Sequence, residues 1–501
     1  MDQVLGEDPD PTSMTRRLWS LSDDALVEAD VGSLTVVSRW GERTIDGVDP
    51  AGVELLRRMG FGPVSLQNSL PSRGEPAGRL PVGDEATVRS LEEVLDQLRG
   101  VVVHSLATLD GQGPLLSVAP VVRDPEFRPT PVGGHRTVRL SCFATIRPQG
   151  DHLLLEVPGA PYQALLGQPA AAAVATALAA PATIADVVDR TGVPPPVVAD
   201  VLSFLVAAGV LLLADEDGRF EEDHDTARRG WAHHELLFHA LSRSRQGGRP
   251  PDAVVRLQTT DPAPVTLPRP AGRRFVLPHP DPAALAAGDP TLTDLLESDH
   301  ECPHVSGESF TAGQLGELLF RSARVRSTGP ALQPVLAQAA GHVTSQRPYL
   351  STACLYELEL YLTVDRCTDL PRGSYHYDPL EHCLTLVDED DARTDAALDV
   401  ARAGAGVLSR PAAMLTITAR LGRLSAVLAG AAYATALKHC GMLQGTLYQA
   451  ARAMGVSAHP IPAEAGALIG RLSRLPWPAE VGVGECVLDP RGRPGSRGRS
   501  S

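Results

Sequence analysis

Residues 433–454 read YATALKHCGMLQGTLYQAARAM, a run in which only Lys438 and Arg452 carry full charge. Tyr433, Leu437, Cys440, Gln444, Leu447, Ala451 and Met454 recur at spacings of three and four, which puts them on one stripe of an α-helix. A helix this poor in charge belongs in a core. Extended back to Gly430 it would run for roughly 37 Å, enough to cross a domain or a dimer interface. Upstream lies RPYLSTACLYELELYLTV (347–364), which joins a turn of small polar residues (Ser351, Thr352, Ala353) to a helix entry and an apolar run. Downstream lies VGVGECVLD (481–489), within which residues 484–488 read as a closing strand.

At 501 residues the chain exceeds one ordinary core. Hydrophobic residues make up 43% and aromatics only 4%, so its cores must rest on Leu, Val and Ala. The formal charge of −15 opposes nonspecific binding to nucleic acid or an anionic membrane and favours a neutral or cationic partner. Seven Cys without a CxxC pair point to free thiols rather than a disulfide framework or structural zinc. No apolar signal core opens the chain, and the expected location is the cytoplasm.

Residues 1–15 and the basic tail 490–501 are expected to be disordered. A small α+β, winged-helix-like unit is expected over 16–136, with strands near 34–40 and 101–109 and a helix at 90–100. A winged-helix unit follows over 137–230. Its second helix is opened by Pro194–Pro196, and 210–220 reads as a two-stranded wing turning at Asp217–Gly218. Between 193 and 209 the would-be recognition helix holds one ionisable residue, Asp200, and no Lys or Arg. DNA binding fails on that charge, leaving peptide docking or a structural role. Residues 231–290 read as a linker with a Pro-rich extended stretch, and 291–489 as the last domain.

The histidines of HHELLFH (233–239) have no i, i+4 zinc-ligand spacing with an intervening acid, so a surface helix is expected there. GxGxxG after a strand, GxxxxGK[ST] and GxSxG are all absent, which removes the common nucleotide loops and the hydrolase elbow.

The segment 347–364 resembles the PSxG-aLYplElY stretch of the SagB/McbC-like azoline dehydrogenases, a family with the nitroreductase fold. SYHYDPLEHCLTLV (374–387) is similar to the hairpin that follows in that family. GELLFRSARVR (316–326), residues 432–456 and VGVGECVLD occur in the same order. The resemblance covers roughly 137–489. It implies an α+β protein whose C-terminal nitroreductase-like FMN domain is preceded by winged-helix-type α/β units. It also implies oxidation of thiazoline or oxazoline rings to thiazole or oxazole in a ribosomally made precursor peptide. Implied partners are that peptide, a cyclodehydratase and a second copy of the chain.

The family's flavin contacts, carried over by position, fall on Ser351 and Thr352 in the turn and on Gln444 in the helix. The fold's usual RRSxR phosphate motif is replaced here by Ser298-Asp299-His300-Glu301-Cys302, so Arg321, Arg324 and Arg326 are the expected phosphate cations. A Lys-Tyr pair of that family falls at Val427 and Leu428, so Tyr433 and Lys438 are the expected catalytic groups. Two other readings stay open: a flavin-free scaffold of the peptide-modifying complex, and a flavin reductase of small nitro or quinone compounds.

Overall fold

The computed structural model describes residues 14–30, 33–48, 50–65, 91, 93–109, 113–243, 264–300, 302–330, 343–425, 428, 430–462 and 476–491. Most of both expected disordered ends, residues 244–263 of the expected linker, and Val427 lie outside these. The chain divides into two compact units, 1–251 and 252–501. Both combine helices with antiparallel sheets, the α+β class expected from the sequence.

In the first unit one six-stranded antiparallel sheet runs in the order Thr15–Leu21, Val102–Thr108, Pro114–Pro120, Tyr162–Leu166, His152–Glu156 and Thr145–Gln149. It crosses the boundary expected at 136/137, because Tyr162–Leu166 pairs with Pro114–Pro120. A separate meander, Leu26–Asp30, Ser33–Ser38 and Gly41–Asp46, packs Leu34, Val36 and Ile45 with Leu55, Leu56 and Met59 of the helix Pro50–Met59. Within the expected 90–100 helix, residues 93–97 are helical and Leu91, Val94 and Leu98 are buried.

The helix Ile184–Thr191 is set by sequence-local chemistry. Thr183 and Asp186 cap it reciprocally, and Gly192 closes it at φ 70°. The next helix, Pro195–Ala207, buries seven residues, and its lone acid, Asp200, accepts a hydrogen bond from the Thr15 hydroxyl. The expected two-stranded wing is corrected. Leu211–Leu213 is a strand, but its partner is Val138–Leu140, while residues 215–219 close a turn around Gly218 and lead into the helix Glu221–His224. Asp215 takes the Asp217 and Arg219 amides on its side chain, so local turn chemistry wins over a second strand.

The second unit is a seven-stranded antiparallel sheet ordered Arg274–Val276, Cys383–Asp388, Gly373–Asp378, Leu358–Val364, Ala413–Arg420, Glu480–Asp489 and Ser457–Ile461. The expected linker therefore contains a strand of this sheet, as well as the helices His233–Arg243 and Pro282–Gly288. All eight residues of Ala413–Arg420 are buried, as a central strand covered on both faces requires. On one face lies the long helix Ala432–Met454. On the other, Leu398 and Ala401 of the helix Asp391–Ala405 pack on Met414, Ile461 and Val487.

The long helix is present as expected, but its buried face is rotated. Ala436, His439, Cys440, Leu443, Leu447 and Ala451 point inward, whereas Tyr433 and Leu437 are 42% and 38% exposed. Its approach to the sheet depends on Gly484, where a Cβ would stand 2.5 Å from the Cys440 sulfur. The expected helix entry after Ser351 is a single 3₁₀ turn, Thr352–Cys354, and the apolar run after it is the strand Leu358–Val364. Leu358, Leu360 and Leu362 alternate with Glu359, Tyr361 and Thr363, and pairing on both sides overrides helix formation there.

Candidate functional site

Between Ser351 and Tyr356 the backbone takes a path that L-residues rarely adopt. Ala353, Cys354 and Tyr356 have φ of 56°, 55° and 45°, and none of them is glycine. Such a turn persists only where its surroundings over-determine it. The Ser351 hydroxyl accepts the Tyr356 amide at 3.0 Å, the Tyr356 hydroxyl donates to the Tyr349 carbonyl at 3.0 Å, and Arg423 donates to the Leu355 carbonyl at 2.8 Å. The fourth pin comes from the long helix. His439 Nε2 accepts the Thr352 amide at 2.8 Å and lies 3.0 Å from the Thr352 hydroxyl.

That contact fixes the imidazole's tautomer. Because Nε2 accepts a backbone N–H, Nδ1 carries the proton and donates it to Glu357, 2.8 Å away. His439 is 3% exposed and Glu357 not at all. None of the hydrogen bonds named here uses the Ala353 amide.

Below the turn sit three buried guanidinium groups. Arg347, Arg420 and Arg423 donate to the carbonyls of Pro264 and Val265, so this short stretch is tied to all three. Burial, and then the like charges of Arg420 and Arg347, push Arg423 down to about 10. Beyond them a polar network is embedded in the sheet. Glu359 meets His376 at 3.1 Å and Arg420 at 2.8 Å, and the Thr418 hydroxyl donates to Glu480 at 2.6 Å. Burial raises Glu359, but the bond to His376 and the charge of Arg420 outweigh it and leave this carboxyl below its ordinary range. Glu485 leaves one carboxyl oxygen without a hydrogen-bond partner among the described residues, and burial pushes it up to about 7.

The expected site residues divide. Ser351 and Thr352 lie in the strained turn as described. Arg326 reaches it from the side, donating at 3.2 Å to the Arg347 carbonyl that also receives the Tyr356 hydroxyl. Arg324 lies over the Phe320 ring and donates to the Phe320 carbonyl, and burial followed by the charge of Arg326 lowers its pKa. Arg321 is spent on Asp289 and Glu317. Burial alone would lower its pKa, but the bonds to these two carboxylates outweigh that and raise it.

Gln444 is turned to packing, its amide donating to the Glu485 carbonyl at 3.3 Å. Lys438 is exposed and makes no ion pair among the described residues, and Tyr433 is half-exposed one turn earlier. The stretch 298–300 is held by Arg452 of the long helix, which donates to the Leu295 and Asp299 carbonyls and to the Ser298 hydroxyl. An open groove of about 600 Å³ runs along the flank of the helix away from its buried stripe, lined by Gly441, Met442, Gly445 and Thr446 with Asp289 and Arg321.

The sequence reading missed His439, Glu357 and Arg423. Each left a signal: a histidine in an almost uncharged helix, a carboxylate inside the apolar run LYELELY, and an arginine soon after the uncharged run AMLTITA (413–419).

Residues 138–249 match the family model of the cyanobactin oxidase ThcOx. The chain is similar to the cyanobactin oxidases. The match agrees with the SagB/McbC-like resemblance of the sequence and lies in the first unit. No curated protein matches the chain.

Among solved structures it is similar to a nitroreductase from Anabaena variabilis (20% identity, 35% of this chain and 34% of that one, TM-score 0.30). It is also similar to a nitroreductase from Ralstonia eutropha (19%, 47% and 99%, TM-score 0.34). A third is the E. coli microcin synthetase McbBCD complex with truncated pro-MccB17 bound (14%, 41% and 74%, TM-score 0.33). The chain spans about a third of the first of these. At such TM-scores the structural likenesses carry no argument, and the reading rests on the family match. Among the described residues no helix is long and apolar enough to cross a membrane.

Proposed function

We propose that this chain is an FMN-dependent azoline dehydrogenase, oxidising thiazoline or oxazoline rings of a ribosomally made precursor peptide to thiazole or oxazole in the cytoplasm. The observation that carries the reading is the match of residues 138–249 to the cyanobactin oxidase ThcOx. Two features of the second unit fit a flavin. The turn at 351–356 is held rigid with the Ala353 amide outside its own bonding scheme, a donor suited to a ring heteroatom. Arg324 and Arg326 are bonded to carbonyls rather than carboxylates, so their charge remains available to a phosphate.

The flavin, when bound, supplies the hydride acceptor. The chain's own part is to orient the ring against the turn and to take up the proton that leaves the substrate carbon. Lys438, the single lysine of the chain, and Tyr433 are exposed groups able to exchange that proton. The first unit serves to dock the precursor peptide or the cyclodehydratase, and the open groove along the long helix receives a second copy.

The test is the visible spectrum of the purified chain with and without added FMN, followed by turnover of a cyclised peptide and of a quinone. Stoichiometric FMN with activity on the peptide alone supports the reading. Saturating FMN without uptake defeats it in favour of a flavin-free scaffold, a second reading that the neutralisation of Arg321 by Asp289 and Glu317 favours.

A further inference from the structure

We infer that His439, oriented by Glu357, is the positioning residue that holds the 351–356 turn in the shape presented to the flavin ring. The inference rests on the flavin reading above. Three non-glycine residues in the left-handed region cost on the order of 1 kcal/mol each or more, so the turn would relax if it were not pinned. The Ser351, Tyr356 and Tyr349 bonds are all internal to the segment 349–356. They can follow the segment if it shifts. Two pins come from other elements: Arg423 holds the Leu355 carbonyl at the far end of the turn, and His439 of the long helix holds the Thr352 amide at its start, beside Ala353, and fixes that end relative to the core.

A fully buried imidazole and carboxylate are a costly choice for stability alone, since apolar residues of similar volume would serve at least as well. What the pair supplies is direction. Glu357 holds the ring in the Nδ1–H tautomer, so that Nε2 is an acceptor aimed at the Thr352 amide.

The same three residues invite comparison with a hydroxyl–imidazole–carboxylate relay, Thr352 to His439 to Glu357. The geometry argues against it. The Nε2 lone pair that would take the hydroxyl proton already accepts the Thr352 N–H, and a proton placed there would face that N–H head-on. His439 therefore shapes the site rather than reacting in it.

The test uses the intact chain and two variants that split the imidazole's functions. His439→Asn keeps a donor near the Nδ1 position for Glu357 but has nothing at Nε2, whereas His439→Gln carries an acceptor to the Nε2 position. Hydrogen exchange at the Thr352 amide and FMN titration by fluorescence quenching are read together. The expected result is faster exchange confined to 351–356 and about ten-fold weaker FMN binding in His439→Asn, the scale of one lost buried hydrogen bond, with recovery of both in His439→Gln. A His439→Asn protein that binds FMN with unchanged affinity and absorption band overturns the inference while leaving the flavin reading intact. Failure of the unaltered chain to take up FMN defeats the flavin reading itself, and with it the role assigned to His439.

Discussion

The Nδ1 of His439 stands 2.8 Å from the Glu357 carboxylate, and through this contact the long helix grips the residue that precedes the strand Leu358–Val364. Removing the acceptor leaves a buried N–H without a partner. Glu357→Leu should therefore destabilise the second unit by about 1–3 kcal/mol. Glu357→Gln, which keeps an acceptor oxygen but no charge, should cost clearly less. Urea unfolding of the two variants checks this. Equal losses would mean that the cost lies in packing and not in the hydrogen bond.

Ala353 sits at φ 56°, where a Cβ is a burden and glycine is at ease. Ala353→Gly should raise the unfolding free energy by up to about 1 kcal/mol, the left-handed strain relieved outweighing the added freedom of the unfolded chain. Calorimetry reads the shift. A lower unfolding temperature would show that the turn is not under strain at this position.

The periodicity of residues 433–454 located the long helix, yet its face came out rotated because the expected stripe and the buried one share Cys440, Leu447 and Ala451. What decides between stripes is the tertiary pairing of His439 with Glu357, 82 residues earlier, and no local pattern encodes that. The strand Leu358–Val364 was legible as an apolar run, but its identity as strand depends on neighbours on both sides. The turn itself was legible only as small and polar. Its left-handed path follows from pins supplied by three separate segments. Arg321 shows the reverse failure: a cation read as available is consumed by Asp289, distant in sequence.

Glu485 is buried, one of its oxygens has no hydrogen-bond partner, and burial pushes its carboxyl up to about 7. The fold favours the neutral acid, so the contribution of this group to stability is full below the ordinary carboxyl range and is lost as pH rises through about 7. The unaltered chain should lose stability from pH about 5 to 8. Glu485→Gln, neutral throughout, should flatten that decline. Thermal unfolding at four pH values separates the curves, and parallel curves would place the titration elsewhere.

Lys438 is the single amine-bearing side chain of the protein, and it is exposed on the long helix. If it exchanges the substrate proton, Lys438→Met should retain FMN and lower turnover of a cyclised peptide by about 10² to 10⁴. Acylating the protein with an amine-selective reagent should have the same effect, because Lys438 is the one lysine of the sequence. Full activity in the variant would make Lys438 a spectator and shift attention to Tyr433.

Each of the two units has its own hydrophobic core. In the first, Leu155, Leu166, Val174, Val198 and Leu205 come together without any residue beyond 251. Removing residues 1–251 should leave FMN binding within about three-fold of the intact chain, because the turn and its pins all lie beyond residue 251. Turnover of full-length precursor should fall far more than turnover of a short azoline peptide, since only the former has a leader to dock. Equal losses on both substrates would mean that the first unit supports the chemistry rather than the capture of the precursor.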